Sequence, residues 1–370
     1  MSRIVTLGDV CSAVSSSIAQ KDLTDNDGDY PIYGASGLIK KVDFFKQEKP
    51  YIAIVKDGAG VGRTMLLPAK SSVIGTMQYI LPDERIDIRF LYYLLVKLDL
   101  ARYYTGATIP HIYFKDYRKE NFALPPLHIQ YKIADILDKT SELIAGRKKQ
   151  LKKLDLLVKS RFVEMFGDPV TNPMGWMRST IGESCHYVKD GPHVSPKYVE
   201  DGTGIPFIST RNLVGSDGID WSTAKYISEA DYEIYTKKCK PERGDILYSK
   251  GGTTGIARYV NTDIRFANWV HVAVLKFGDN LNGIFFEHML NSDYCYRQSQ
   301  LLTKGIVNRD LVLGSMKQVQ FFIPPLDLQT RFADFVRQAD KSKFEIQQGL
   351  EKLELQYNAL MQQYFSEGVS

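Results

Sequence analysis

Very little in this chain of 370 residues invites a reading as a catalyst. It holds four cysteines, none in a CxxC pair or at another metal-ligand spacing, so neither a redox dithiol nor a thiolate zinc site is expected. Cys11 follows TLGDV and Cys185 follows TIGES, matching places in two similar stretches, and all four cysteines read as small buried thiols. Six histidines are scattered without an HExxH or paired-ligand spacing. No Ser/His/Asp or Cys/His constellation, no (D/N/S)PP(Y/F) methyltransferase motif and no nuclease-like carboxylate cluster stands out. No apolar run approaches the length of a membrane span, since Phe90–Val96 is too short. The first residues, MSRIVTLGDV, lack an apolar signal core, and the expected location is the cytoplasm. Neither sign of charge dominates: 47 basic against 43 acidic residues leave +4, too mild to name a nucleic-acid partner unaided.

What the chain does contain is one stretch written twice. Residues 124–166, opening LPPLHIQYKIADIL, align without a gap on residues 323–365, opening IPPLDLQTRFADFV, and eleven of forty-three positions are identical. Among these are Pro125/Pro324, Gln130/Gln329, Asp135/Asp334, Leu151/Leu350, Leu154/Leu353 and Phe166/Phe365. The proline pair forces an extended backbone, so each copy predicts a long helix starting just after it, with Asp327 as N-cap of the second. Apolar residues recur at sevens, as Leu137, Ile144, Leu151, Val158 and Met165 in one copy and Phe332, Ala339, Ile346, Leu353 and Leu360 in the other. Such stripes want a partner helix, and the economical inference is that the two pack on each other as a coiled coil. Gly146 and Gly349 weaken the helix interiors and mark places for a bend. The first copy carries the cluster Arg147, Lys148, Lys149, Lys152 and Lys153, a solvated face or one for phosphates or an acidic partner.

The duplication divides the chain into a mixed domain at 1–125, a helix at 126–166, a turn-rich linker at 167–177, a second mixed domain at 178–324 and a second helix at 325–370. In the first domain the strand YIAIV runs into a glycine-rich loop, KDGAGVGRT, from Lys56 to Thr64. A phosphate-binding loop would need glycine at Asp57 and lysine at Arg63, so a nucleotide site fails at two positions. The second domain has a related loop, YSKGGTTG, from Tyr248 to Gly255. Both suit tight turns at positive φ, and Lys56 and Lys250 would equally suit DNA phosphates. A single helical segment is expected from Ile284 to Gln300. Gly106 and Gly305 each stand nineteen residues before the first proline of their pair, in loops of different composition. The pattern is one scaffold with two different reading surfaces, and two half-sites at a fixed spacing along a helical polymer would suit it.

The series LGDV, YPIYGASG, LPPLHIQYKIADIL, FGDPVTNPMGW, GIPFISTRNL, RGDILYSKGGTTG and IPPLDLQTRFADF resembles the specificity (S) subunit of type I restriction-modification enzymes, over essentially the whole chain. PPL-x-x-Q before a long helix, occurring twice, is the most specific feature. The resemblance implies an α+β chain with two mixed α/β target-recognition domains, an internal pseudo-two-fold repeat, and two long helices forming an antiparallel coiled coil. It implies a non-catalytic subunit that reads a bipartite site in double-stranded DNA and holds two modification subunits, which methylate adenine, together with restriction subunits. No cofactor is then expected in this chain; S-adenosylmethionine, ATP and Mg would belong to the partners.

Groove chemistry selects the candidate DNA contacts, because Arg and Lys suit guanine edges or phosphates, Asn suits adenine and Thr donates or accepts. They are Lys56, Arg63, Thr108 and His111 in the first domain, and Arg211, Asn212, Lys250, Thr253, Thr254, Lys304 and Arg309 in the second. Leu137, Ile144, Leu151, Leu154, Val158, Phe332, Ile346, Leu350, Leu353 and Leu360 are the expected coiled-coil and subunit-interface residues. Two other readings stay open on the residues alone. One is a non-catalytic scaffold whose coiled coil assembles other proteins while the outer domains bind peptides or glycans. The other is a nucleotide-dependent enzyme using the Lys56 to Thr64 loop.

Overall fold

The structure, a computed structural model, describes residues 3–106, 110–200, 202–215 and 218–365. Two similar α/β domains are joined by two long helices that pack together. The chain divides into two compact units, one made of residues up to Gln150 with those from Ile346 on, the other of Leu151–Glu345.

In the first unit the strand Arg3–Thr6 pairs antiparallel with Asn121–Leu124, so the start of the domain is tied to the segment that leads into the helix. A four-stranded antiparallel sheet follows in the order Cys11–Ser15, Met77–Pro82, Tyr51–Val55 and Thr64–Leu67. YIAIV is wholly buried because successive side chains of a strand point to opposite faces and both faces are covered. Ile52 and Ile54 join the core under the helix Ile88–Lys97, whereas Tyr51, Ala53 and Val55 join a separate cluster with Val73 and Met77. A smaller sheet orders Gly37–Val42, Tyr30–Gly34 and Ser72–Val73, its last pair parallel.

The second unit repeats this plan. Met177–Thr180 pairs with Gln320–Ile323, and a four-stranded sheet runs Cys185–Asp190, Val272–Phe277, Ile246–Ser249 and Ala257–Tyr259. Its smaller sheet orders Tyr198–Val199, Lys225–Ile227, Ile205–Ile208 and Ala267–Asn268, again ending in a parallel pair. The expected helix from Ile284 to Gln300 is two helices, Gly283–Leu290 and Asp293–Leu302. Asn291 breaks it by turning its side chain to the sheet, where it accepts from Ala257 N–H at 2.9 Å and donates to Ala257 C=O at 3.0 Å. Ser292 then caps the second helix through Cys295 N–H. All four cysteines are free and buried. Burial pushes the Cys11 and Cys185 thiols up to about 12 and the Cys239 thiol up to about 11.

The long helices span Leu127–Phe166 and Leu326–Phe365. Asp327 lies inside the first turn and is not the N-cap; the first acceptor is the Pro325 carbonyl, which receives Leu328 N–H and Gln329 N–H. Its carboxylate still sits at the positive end of the helix. In the first unit Ile133 and Leu137 share a core with Tyr357, Leu360 and Met361, and in the second Val158, Phe162 and Phe166 share one with Phe332, Val336 and Ala339. The start of each helix thus meets the end of the other, which makes the pair antiparallel. Both stripes anticipated from the sequence are halves of one heptad. The second helix covers Phe332, Val336, Ala339, Ile346, Leu350, Leu353, Tyr357 and Leu360 at alternating steps of four and three, Lys343 completing the series. Of the remaining seam residues of the first helix, Ile144, Leu151 and Leu154 are half-buried. Neither Gly146 nor Gly349 interrupts its helix. The first helix ends at Gly167, whose φ of +80° and contact with the Pro173 ring admit no side chain.

One buried glutamine fastens each helix to its domain. Gln130 Oε1 accepts from Asp87 N–H at 2.7 Å, and its Nε2 donates to Arg85 C=O at 3.0 Å and Pro125 C=O at 2.8 Å. Gln329 makes the same three bonds, to Asn282 N–H at 2.8 Å, Asn280 C=O at 3.0 Å and Pro324 C=O at 2.8 Å. Asp87 and Asn282 are themselves helix N-caps, so each glutamine sets the long helix against the first turn of a neighbouring one.

Candidate nucleic-acid interface

In each unit the glycine-rich loop meets the loop ahead of a short helix, Phe114–Tyr117 in one and Leu313–Met316 in the other. In the first unit Ile112 N–H donates to Lys56 C=O at 2.9 Å, Lys56 and Asp57 N–H both donate to Thr76 C=O, Gly58 N–H donates to Pro110 C=O, and Thr105 and His111 exchange two backbone bonds. In the second, Leu311 N–H donates to Lys250 C=O at 2.7 Å, Lys250 and Gly251 N–H donate to His271 C=O, Gly252 N–H donates to Arg309 C=O, and Lys304 and Asp310 exchange two bonds. The two frames correspond bond for bond. Positive φ at Gly58, Gly60 and Gly62 makes the first turn possible, and a side chain at Gly62 would strike the Ala101 backbone nitrogen at 2.6 Å.

The side chains on these frames differ. In the first unit Lys56 Nζ lies 3.2 Å from Asp57 Oδ2, and the other oxygen of Asp57 meets His111 Nδ1. The His111 ring packs on Tyr113 with centroids 4.0 Å apart, and its enclosed Nε2 has no hydrogen-bond partner among the described residues. Lys56, His111 and Tyr113 line a shallow hollow of about 280 Å³ with Gln78 and Lys115. Arg63 is exposed on the turn, its Nη1 donating to Ala35 C=O at 2.7 Å. Thr108 lies outside the described residues.

In the second unit a hollow of about 570 Å³ brings together Arg211, Trp269, His271, Asn308 and Arg309. Arg211, Thr253 and Lys304 are exposed, and Arg309 is half-buried with its guanidinium donating to Gln300 Oε1. Three expected contacts need correction, because the fold uses their polar groups internally. Lys250 is 6% exposed, with Nζ 3.0 Å from Asp310 Oδ1 and 3.5 Å from Asp190 Oδ2. Asn212 is 2% exposed, accepting from Ser209 N–H and donating to Asp220 C=O. Thr254 is 1% exposed and bonded to Thr303 Oγ1 at 2.9 Å. Asp190 also holds Lys238 Nζ at 2.7 Å and His193 Nε2 at 3.2 Å. Burial works to raise its carboxyl, yet Lys238, Lys250 and His193 hold it below the ordinary value of 3.8.

Sequence reasoning passed over Trp269 and His271. Their rings meet edge to face at 4.9 Å, and His271 fills the space that a side chain at Gly251 would need. The signal was NWVHV just ahead of a strand, the place Thr76 holds in the first unit, but only the backbone frame makes the two places equivalent. Among the described residues no three His, Cys, Asp or Glu side chains gather as a metal site, and no helix is long and apolar enough to cross a membrane.

Comparison with known proteins agrees with this architecture. A protein of Haemophilus influenzae named as a type I restriction enzyme specificity subunit is 28% identical over 161 residues, which cover 39% of this chain and 41% of that protein's length. The crystal structure of a type I restriction-modification S subunit from M. genitalium matches 99% of this chain and 96% of its own, with a TM-score of 0.67 at 16% identity. A chain from a structural study of complex assembly and conformational transition in the type I R-M system matches 98% and 97%, with a TM-score of 0.54 at 18% identity. The family model for the type I restriction modification DNA specificity domain matches residues 2–154 and again 173–355, once on each half, and the chain therefore belongs to the type I restriction-modification specificity subunits.

Proposed function

We propose that this chain, itself non-catalytic, reads a bipartite site in double-stranded DNA, one half with each domain. The observation that carries the reading is the two-loop frame, repeated bond for bond with different side chains on it. A single scaffold that carries Asp57 and His111 in one unit where the other has Gly251 and Asp310 suits two half-sites of different sequence. Within the frames Lys56, Arg63 and His111 face DNA in the first unit, Thr108 belonging to the same loop in sequence, and Arg211, Thr253, Lys304 and Arg309 face it in the second. Arg211 and Arg309 suit the bidentate pattern of guanine, and Lys304 suits a phosphate. The helix pair sets the gap between half-sites and holds two modification subunits, and restriction subunits join them. S-adenosylmethionine is used by the modification subunits, and ATP and Mg by the restriction subunits. A complex acting on cellular DNA in this way works in the cytoplasm.

The test is co-expression with the cognate modification subunit, followed by single-molecule sequencing of methylated adenine. A split motif with a constant gap is expected, and removal of one turn from the first helix should change that gap. Stable assembly without any methylated motif, using a modification subunit proven competent, would leave a protein scaffold as the function. With the motif known, Arg211→Ala should cost about 1–3 kcal/mol at one base position. Equal weakening on every sequence would assign Arg211 to phosphate.

A further inference from the structure

The loop between Thr303 and Leu311 is short and closed at its base. Lys304 and Asp310 exchange backbone bonds of 2.9 Å, and Gly252 N–H holds the Arg309 carbonyl at 3.0 Å. Gly305, at φ +81°, folds the loop so tightly on the Asn308 carbonyl that no side chain fits there. The result is an apolar tip: Ile306 is 96% exposed and Val307 91%. Among the described residues neither belongs to a hydrophobic cluster of this unit, so the packing described does not account for them. Their surroundings are cationic. Val307 lines the same hollow as Arg211 and Arg309, and the exposed Lys304 lies at the loop's base.

A partner protein would want a contiguous apolar patch beside the tip, and in the adjoining hollow the Trp269 ring is set among the charged and amide groups of Arg211, Asn308, Arg309 and Asp310. A polyanion with an apolar interior fits better, because cations on the rim meet phosphates while aliphatic side chains meet base faces. Resting on the DNA reading above, we infer that Ile306 and Val307 form a wedge that enters a base step of the half-site read by the second unit and unstacks it. Lys304, at the base of the loop, holds the adjoining phosphate.

The experiment uses the complex with its modification subunit and a duplex carrying the sequenced motif. 2-Aminopurine replaces each adenine in turn, and thymines are followed by permanganate reactivity. Besides the adenine that becomes methylated, one step within or beside one half-site should show a several-fold rise in fluorescence or reactivity. Ile306→Ala/Val307→Ala should return that step to the level of free DNA, leave the rise at the methylated adenine, and weaken binding about tenfold. Ile306→Phe, a larger wedge, should keep the step open. Selective binding with every other base stacked, or unstacking unchanged in the double variant, would overturn the inference and leave the DNA reading intact. A folded double variant that no longer holds the modification subunit would also overturn it, assigning the tip to a protein contact. An assembled wild-type complex without sequence-selective DNA binding would remove the DNA reading itself, and the wedge with it.

Discussion

At the scale of single residues, the strongest constraints come from polar groups with no access to water. Gln130 and Gln329 are fully buried and each satisfies three backbone groups. Gln130→Leu or Gln329→Leu would strand an N–H and two carbonyls in the interior, so each should cost about 3 kcal/mol. Urea midpoints of the purified chain would show it, and a loss of a few tenths would mean that water replaces the amide. Asp190 offers a test in pH. Its carboxyl is held below 3.8 when folded, and a group of that kind stabilises the fold above its unfolded pKa and loses the effect as pH falls through the folded one. Asp190→Asn should therefore be clearly less stable than wild type at pH 7, with the gap narrowing below about pH 4. A gap independent of pH would assign the cost to packing.

At the scale of elements, what was legible is what repeats locally. The sevens along both helices, the proline pairs that start them and the strand YIAIV are all readable within a window of a dozen residues. Only one position of each heptad stood out, since the other includes Thr140 and Arg147 in one helix and Lys343 in the other. The break at Asn291 was not legible, because it depends on a backbone partner at Ala257, thirty-four residues away. The same distance problem hid Asp190 and Asp310 as partners of Lys250 and made that lysine look available. Gly146 and Gly349 sit mid-helix, and among the described residues nothing lies within 4 Å of the place of a side chain. Gly146→Ala and Gly349→Ala should each stabilise the chain by up to about 1 kcal/mol, measured by urea midpoint. Destabilisation by either would show that these positions need glycine for a partner's close approach.

At the scale of the whole molecule, the net charge of +4 describes the DNA reading poorly, because the relevant cations are few and local. Binding by the assembled complex should weaken with salt in proportion to the phosphates met, and Lys304→Gln should flatten the log–log slope by about 1. An unchanged slope would place Lys304 off the backbone. The two frames have one more consequence. They are tied by peptide N–H and C=O groups, which every residue except proline supplies, and the identity of the side chains on them is largely immaterial to the tie. Exposed positions such as Thr253, Lys304 and Asn308 can therefore change with little penalty to folding, while Gly251, Gly305 and the buried Lys250 cannot. Inheritance could thus explore new target sequences at a handful of codons while the protein that displays them remains sound.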